Sequence, residues 1–118
     1  MAFDGSLYFR HPMHACDMIK IFLTEARRKI DKHQFEDAKS YFESIRDKHI
    51  NPIYNIVIRD VDMSPKGRVA KQYLNIIEKF QRLSVKPSKE NKKELIESMD
   101  NLYKMLNSFS ERIIFEKQ

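Results

Sequence analysis

The sequence predicts an all-α fold, an antiparallel bundle of about four helices, and three observations carry that prediction. Apolar residues recur at alternating spacings of three and four along separate stretches, which is the period of one helix face. Proline follows a capping residue at Asn51-Pro52 and at Ser64-Pro65, a pairing that reads as a helix cap and first turn and so punctuates the chain between those stretches. At 118 residues the chain suffices for one domain, 1–118, with a hydrophobic core and no disulfide or metal staple.

The last stretch is the most strongly patterned. Leu95, Met99, Leu102, Leu106, Phe109 and Ile113 form one seam, and Ile96, Tyr103 and Ile114 a second line about 100° round the same cylinder. So wide an apolar face needs two or three neighbouring helices. This helix, capped by Ser88 and running to about Phe115, is therefore expected at the centre of the core.

Taken in order, the chain opens irregularly. Asp4-Gly5 is a turn signal, and Leu7, Tyr8 and Phe9 suit an extended segment laid over the bundle or a small edge strand. Helix one is expected from Pro12 to about Lys32, burying Ala15, Ile19, Phe22, Ala26 and Ile30, with Met18 and Leu23 at the margins. A short link at His33 and Gln34 reverses the chain into helix two, whose seam is Phe35, Ala38, Phe42 and Ile45. The run from Phe35 to Phe42 resembles one helix of a tetratricopeptide repeat, but no second copy follows about 34 residues away. Asn51-Pro52 is expected to kink or split helix two and to open a short helix ending near Asp60. The alternative is an α+β fold, because 53–58 is rich in β-branched residues and could pair with 6–10 as a two-stranded element. Ser64-Pro65 opens helix three, whose core face is Val69, Tyr73, Ile76, Phe80 and Leu83 and which stops near Pro87.

Composition narrows the chemistry. The chain has two glycines, Gly5 and Gly67, so glycine-rich phosphate loops of the P-loop and dinucleotide types are absent. Cys16 is the one cysteine, which rules out an intrachain disulfide and fits a reducing compartment. Neither a signal-peptide pattern nor a run of about 18 apolar residues occurs, so a cytoplasmic protein with no membrane partner is expected. No stretch carries a specific catalytic or cofactor motif. The expectation is a protein without enzymatic activity or cofactor.

Charge is the most informative functional feature. Residues 64–87 carry net +5, equal to the surplus of the whole chain. On a helical wheel Arg68, Lys71, Asn75, Lys79, Arg82 and Lys86 fall within an arc of about 100°, centred roughly 120° from the predicted apolar seam. The row is about 27 Å long at the helical rise, and only Glu78 opposes it. Such a row can neutralise phosphates without reading sequence, and it equally resembles an ordinary solvated face or a contact for an acidic protein. No aromatic side chain is interleaved to stack on bases.

A second cluster lies at the start of helix one. His11, His14 and Met18 share one side of its first turns, and Cys16 or Asp17 could lend a further ligand, so His11, His14, Cys16 and Asp17 form a candidate zinc, copper or nickel set. It matches no standard zinc spacing and needs a ligand from elsewhere, such as His49 or Asp60. Arg28 and His33 have the Arg-x4-His spacing of the higher-eukaryote-and-prokaryote nucleotide-binding helical ribonucleases, a resemblance limited to those two residues. For Cys16 as a nucleophile, His14 two residues away falls on a different side of a helix, and the sequence names no orienting third group. At the C-terminus, Ile113, Ile114 and Phe115 cannot all face one interior, so Phe115 with Ile114 is the candidate self-association surface.

The leading expectation is a protein-interaction module, such as an adaptor, a chaperone-like factor or a small subunit of an assembly, that also self-associates as a homo-oligomer. The alternative is a nucleic-acid-binding subunit using Arg68, Lys71, Lys79, Arg82 and Lys86. A metal protein or enzyme centred on His11 to Met18 comes third.

Overall fold

The computed structural model describes the backbone of residues 12–61 and 67–117 and the side chains of 13–59 and 69–108. The fold is an all-α bundle built from α1 (Pro12–Asp31), α2 (Phe35–Ser44), a π-helical turn (Ile45–His49), α3 (Ile50–Val61), α4 (Gly67–Ser84) and α5 (Lys92–Lys117). Because α2, the π turn and α3 follow one another without a break, the elements make four rods. Each rod packs on its sequence neighbour, and α1 also packs on α5, which closes the bundle. No strand occurs among the described residues, and 53–58 is helical, so the α+β alternative is overturned. Residues 6–10, its intended partner, lie outside the described residues, as do Leu7, Tyr8, Phe9 and the Ser64-Pro65 cap.

The turn after α1 shows how a three-residue link reverses the chain. Gln34 N–H donates to the Lys29 carbonyl at 2.8 Å and His33 N–H to that of Ile30 at 3.0 Å, the paired bonds that end a helix in a left-handed residue. That residue is His33, at φ 60°, a conformation in which a Cβ costs about 1–2 kcal/mol. The His33 ring stands edge-on to Phe35, and its Nε2 lies 3.3 Å from the Lys92 ammonium at the start of α5.

Helix two is not split at Asn51-Pro52. Its backbone stays helical through both residues, and the irregularity is the π turn just before them. Two physical causes converge there. Pro52 has no N–H for the Lys48 carbonyl and crowds it, which favours a wider preceding turn. The buried seam also slips: Ala38, Phe42 and Ile45 would point about 90° away from Ile50, Ile53 and Val57 in an uninterrupted helix at about 100° per residue. One extra residue in the turn absorbs that slip, with Ile50 N–H bonding the Ile45 carbonyl, and all six side chains are buried.

The core confirms the seam of α5 through Leu95, Met99, Leu102 and Leu106, each buried. Of the predicted second line, Ile96 packs partly buried against the core, but the fully buried width lies on the other side of the seam. Ser98 and Met105 are buried, whereas Tyr103 is 39% exposed, with the Lys20 ammonium 5.9 Å from its ring centroid. Ser98 tolerates burial by donating its hydroxyl to the Leu95 carbonyl at 2.8 Å. The side chains of Phe109, Ile113 and Ile114 lie outside the described residues.

In the predicted face of α4, Phe80 is buried and Tyr73, Ile76 and Leu83 pack partly buried against the core, while Val69 is 43% exposed and the fully buried set is Ala70, Ile77, Phe80 and Ser84. The core-facing direction is therefore turned by roughly 60° from the predicted seam at about 100° per residue. Phe80 meets Phe42 edge-on across the core, ring centroids 5.8 Å apart.

Asn91 ties α4 to α5. Its amide donates to the Lys86 carbonyl at 3.1 Å and to the Leu83 carbonyl at 3.4 Å, while its Oδ1 accepts from Ser88 N–H at 2.9 Å. Ser88 Oγ accepts from Asn91 N–H at 3.4 Å, so Ser88 caps a lead-in turn and regular helix begins at Lys92.

Candidate functional site

The 60° turn of α4 moves its cations. Measured from the buried residues instead of the predicted seam, the arc of Lys71, Lys79 and Arg82 lies roughly 180° away, on the outermost line of the helix. All three are exposed, and so is Lys86. Regular helix ends at Ser84, so Lys86 continues the row from the loop and its wheel position is not fixed by α4. The side chain of Arg68 lies outside the described residues.

Two arrangements would have removed this face: cover by another segment, or pairing with carboxylates of α5. Neither holds among the described residues. The ion pairs there are Arg27 with Asp31 and Asp100, Arg28 with Glu25, and Lys39 with Glu36. Asp100 thus turns to α1, where Arg27 Nη1 meets it at 2.7 Å, and not to α4. Glu94 and Glu97 are exposed and pair with no cation among the described residues.

The structure adds a cation that the sequence did not single out. Arg46, in the π turn, donates from Nη1 to Ser84 Oγ at 2.9 Å, and Ser84 passes its own hydroxyl to the Gln81 carbonyl at 3.2 Å. A guanidinium is thereby held at the C-terminal end of α4, where helix carbonyls favour positive charge. Arg46 is 38 residues from Ser84 in sequence, so no local pattern could place it.

The metal-ligating set is only partly assembled. His14 is half-buried, Cys16 is fully buried in the core and Asp17 is exposed, so the three leave α1 in different directions. His11 and the Asp60 side chain lie outside the described residues. No group of three His, Cys, Asp or Glu residues suited to a metal ion occurs among the described residues. His49 does come to His14: their ring centroids are 6.4 Å apart at an interplanar angle of 71°, and Phe22 packs on His49 at 5.5 Å. Burial first, then the facing His14 and neighbouring Lys48, hold the His49 pKa below its ordinary value of 6.5.

Arg28 and His33 do not converge. Arg28 is exposed and pairs with Glu25, and His33 belongs to the turn against Phe35 and Lys92. The side chains of Phe115 and Ile114 lie outside the described residues. The exposed large apolar residues among those described are Ile21, Ile58, Val69, Val85 and Tyr103. A groove of about 270 Å³ between α1 and α5 is lined by Leu23, Met99 and Tyr103 beside the Arg27–Asp100 pair. No described helix is long and apolar enough to cross a membrane.

No family model matches this chain, and no curated protein or solved structure shows significant similarity to it.

Proposed function

We propose that the protein is a binding module without catalysis of its own, and that the outer face of α4 is its contact for the phosphate backbone of a nucleic acid. One observation carries this reading. Lys71, Lys79, Arg82 and Lys86 are all exposed, and none of them is ion-paired among the described residues.

Charge left uncompensated along one line attracts polyanions at long range and gains affinity by releasing their counterions. The net +5 of the chain adds to that attraction. Without an interleaved aromatic, contact is to backbone and not to stacked bases, so binding is sequence-independent.

The broader reading as a protein-interaction module has less to rest on. The side chains of its candidate surface, Phe115 with Ile114, lie outside the described residues. Size-exclusion chromatography with light scattering, run with and without a mixed nucleic-acid pool at low and moderate salt, tests the proposal. A complex that forms at low salt and dissociates as salt rises is expected. Absence of any complex at low salt would reject it.

A further inference from the structure

A pocket between α4 and α5 adjoins the basic row. About 130 Å³ in volume, it is lined by Asn75, Ile76 and Lys79 of α4 and by Ser98 and Asn101 of α5. Lys79 thus belongs both to the row and to the pocket wall. An apolar cavity of about 150 Å³ holds one benzene ring, whereas drug-sized ligands need about 300–1,000 Å³, so the space suits a single planar heterocycle.

The polar groups around it are uncommitted. Asn75 and Asn101 are exposed, and their amides bond no protein group among the described residues. Asparagine is among the poorer formers of a helix interior, yet both stand well inside long helices, one on each side of this pocket. Ser98, buried, has its hydroxyl hydrogen committed to the Leu95 carbonyl at 2.8 Å, so its oxygen retains lone pairs alone. Ile76 is half-buried and supplies an apolar wall.

We propose that this pocket receives one unpaired nucleobase of a single-stranded nucleic acid whose backbone lies along α4. The inference rests on the reading of α4 as a phosphate contact and adds the strand type to it.

An amide donates and accepts at once, which matches the edge of a base, and the Watson–Crick edge is free only in an unpaired nucleotide. Extruded bases are held by such hydrogen bonds between aromatic or apolar side chains, the place Ile76 fills here. Turning an amide over exchanges its donor and its acceptor, so the pocket admits any base and binding stays independent of sequence. Lys79, common to pocket and row, neutralises the phosphate of the same nucleotide.

The test is fluorescence anisotropy at low salt with two labelled oligonucleotides of equal length. One is a mixed-sequence single strand; the other is abasic, keeping every phosphate and lacking every base. The parent should bind the intact strand about tenfold more tightly, the effect of one base contact. This comparison needs no variant. Asn75→Ala/Asn101→Ala keeps helix propensity and every cation, so it should lose that preference while binding the abasic strand as the parent does. Circular dichroism and cooperative melting establish that the double variant is folded. Equal affinity of the parent for the two strands, or a preference that survives in the double variant, would overturn the proposal. Either result leaves salt-dependent binding, and with it the reading of α4, standing. Failure to bind either strand would reject that reading and this inference together.

Discussion

At the scale of the residue, position in the helix contact decides burial more than size does. Leu106 is fully buried in the seam of α5, so Leu106→Ala should lose about 2–5 kcal/mol through lost transfer energy and the cavity left behind. Urea denaturation measures it, and a loss below about 0.5 kcal/mol, typical of surface changes, would mean the core is misplaced. His33 offers the opposite test, because its φ of 60° is strained for any residue with a Cβ. His33→Gly should be as stable as the parent or up to about 1 kcal/mol more stable, since relief of strain offsets the lost Phe35 and Lys92 contacts. His33→Val should lose more than about 1 kcal/mol, because a β-branched residue fits the left-handed region worst. Equal stability of the two variants would contradict this account of the turn.

Elements were legible in the sequence where large apolar residues set the pattern, as in Ala38, Phe42 and Ile45 or in Leu95, Met99, Leu102 and Leu106. They were misjudged where small residues face a neighbour. Cys16, Ala70, Ser84 and Ser98 are all buried, yet none stands out in a pattern weighted toward bulky side chains. Helices packed at about 8–10 Å need such residues at their closest points. In α4 the burial of Ala70 and Ser84 displaces the core-facing direction from the predicted seam, which leaves the cations on the outer face instead of the flank. The π turn was not anticipated for another reason. Asn51-Pro52 imitates the start of a helix, whereas the actual signal was the five-residue step from Ile45 to Ile50 between two regular seams. Removing one residue there should restore a regular helix with both seams aligned. Deletion of the exposed Asp47 should therefore preserve helicity and cooperative melting at a cost of about 1–2 kcal/mol. Deletion of the exposed Glu43, inside regular α2, should rotate the seam by about 100° and abolish cooperative melting. The same outcome for both deletions would show that the π turn does not correct the register.

For the whole molecule, the net charge was legible in composition and its concentration near α4 in the order of the residues. Whether the charge was available was not, because pairing is a tertiary fact: Asp100 could have faced Lys79, and instead faces Arg27. Arg46 likewise joins the end of α4 only through folding. The most direct test of the central claim is the salt dependence of nucleic-acid affinity, measured by fluorescence anisotropy for the parent and for Lys79→Gln/Arg82→Gln. Four or five phosphate contacts predict a slope of log K against log salt of about −3.5 to −4.5 on duplex DNA, flattened by about two units in the double variant. The thermal midpoint should stay within about 2 °C, since exposed charges contribute little to stability. A parent slope near zero, or one unchanged by removing both cations, would contradict the assignment of α4 as the binding face.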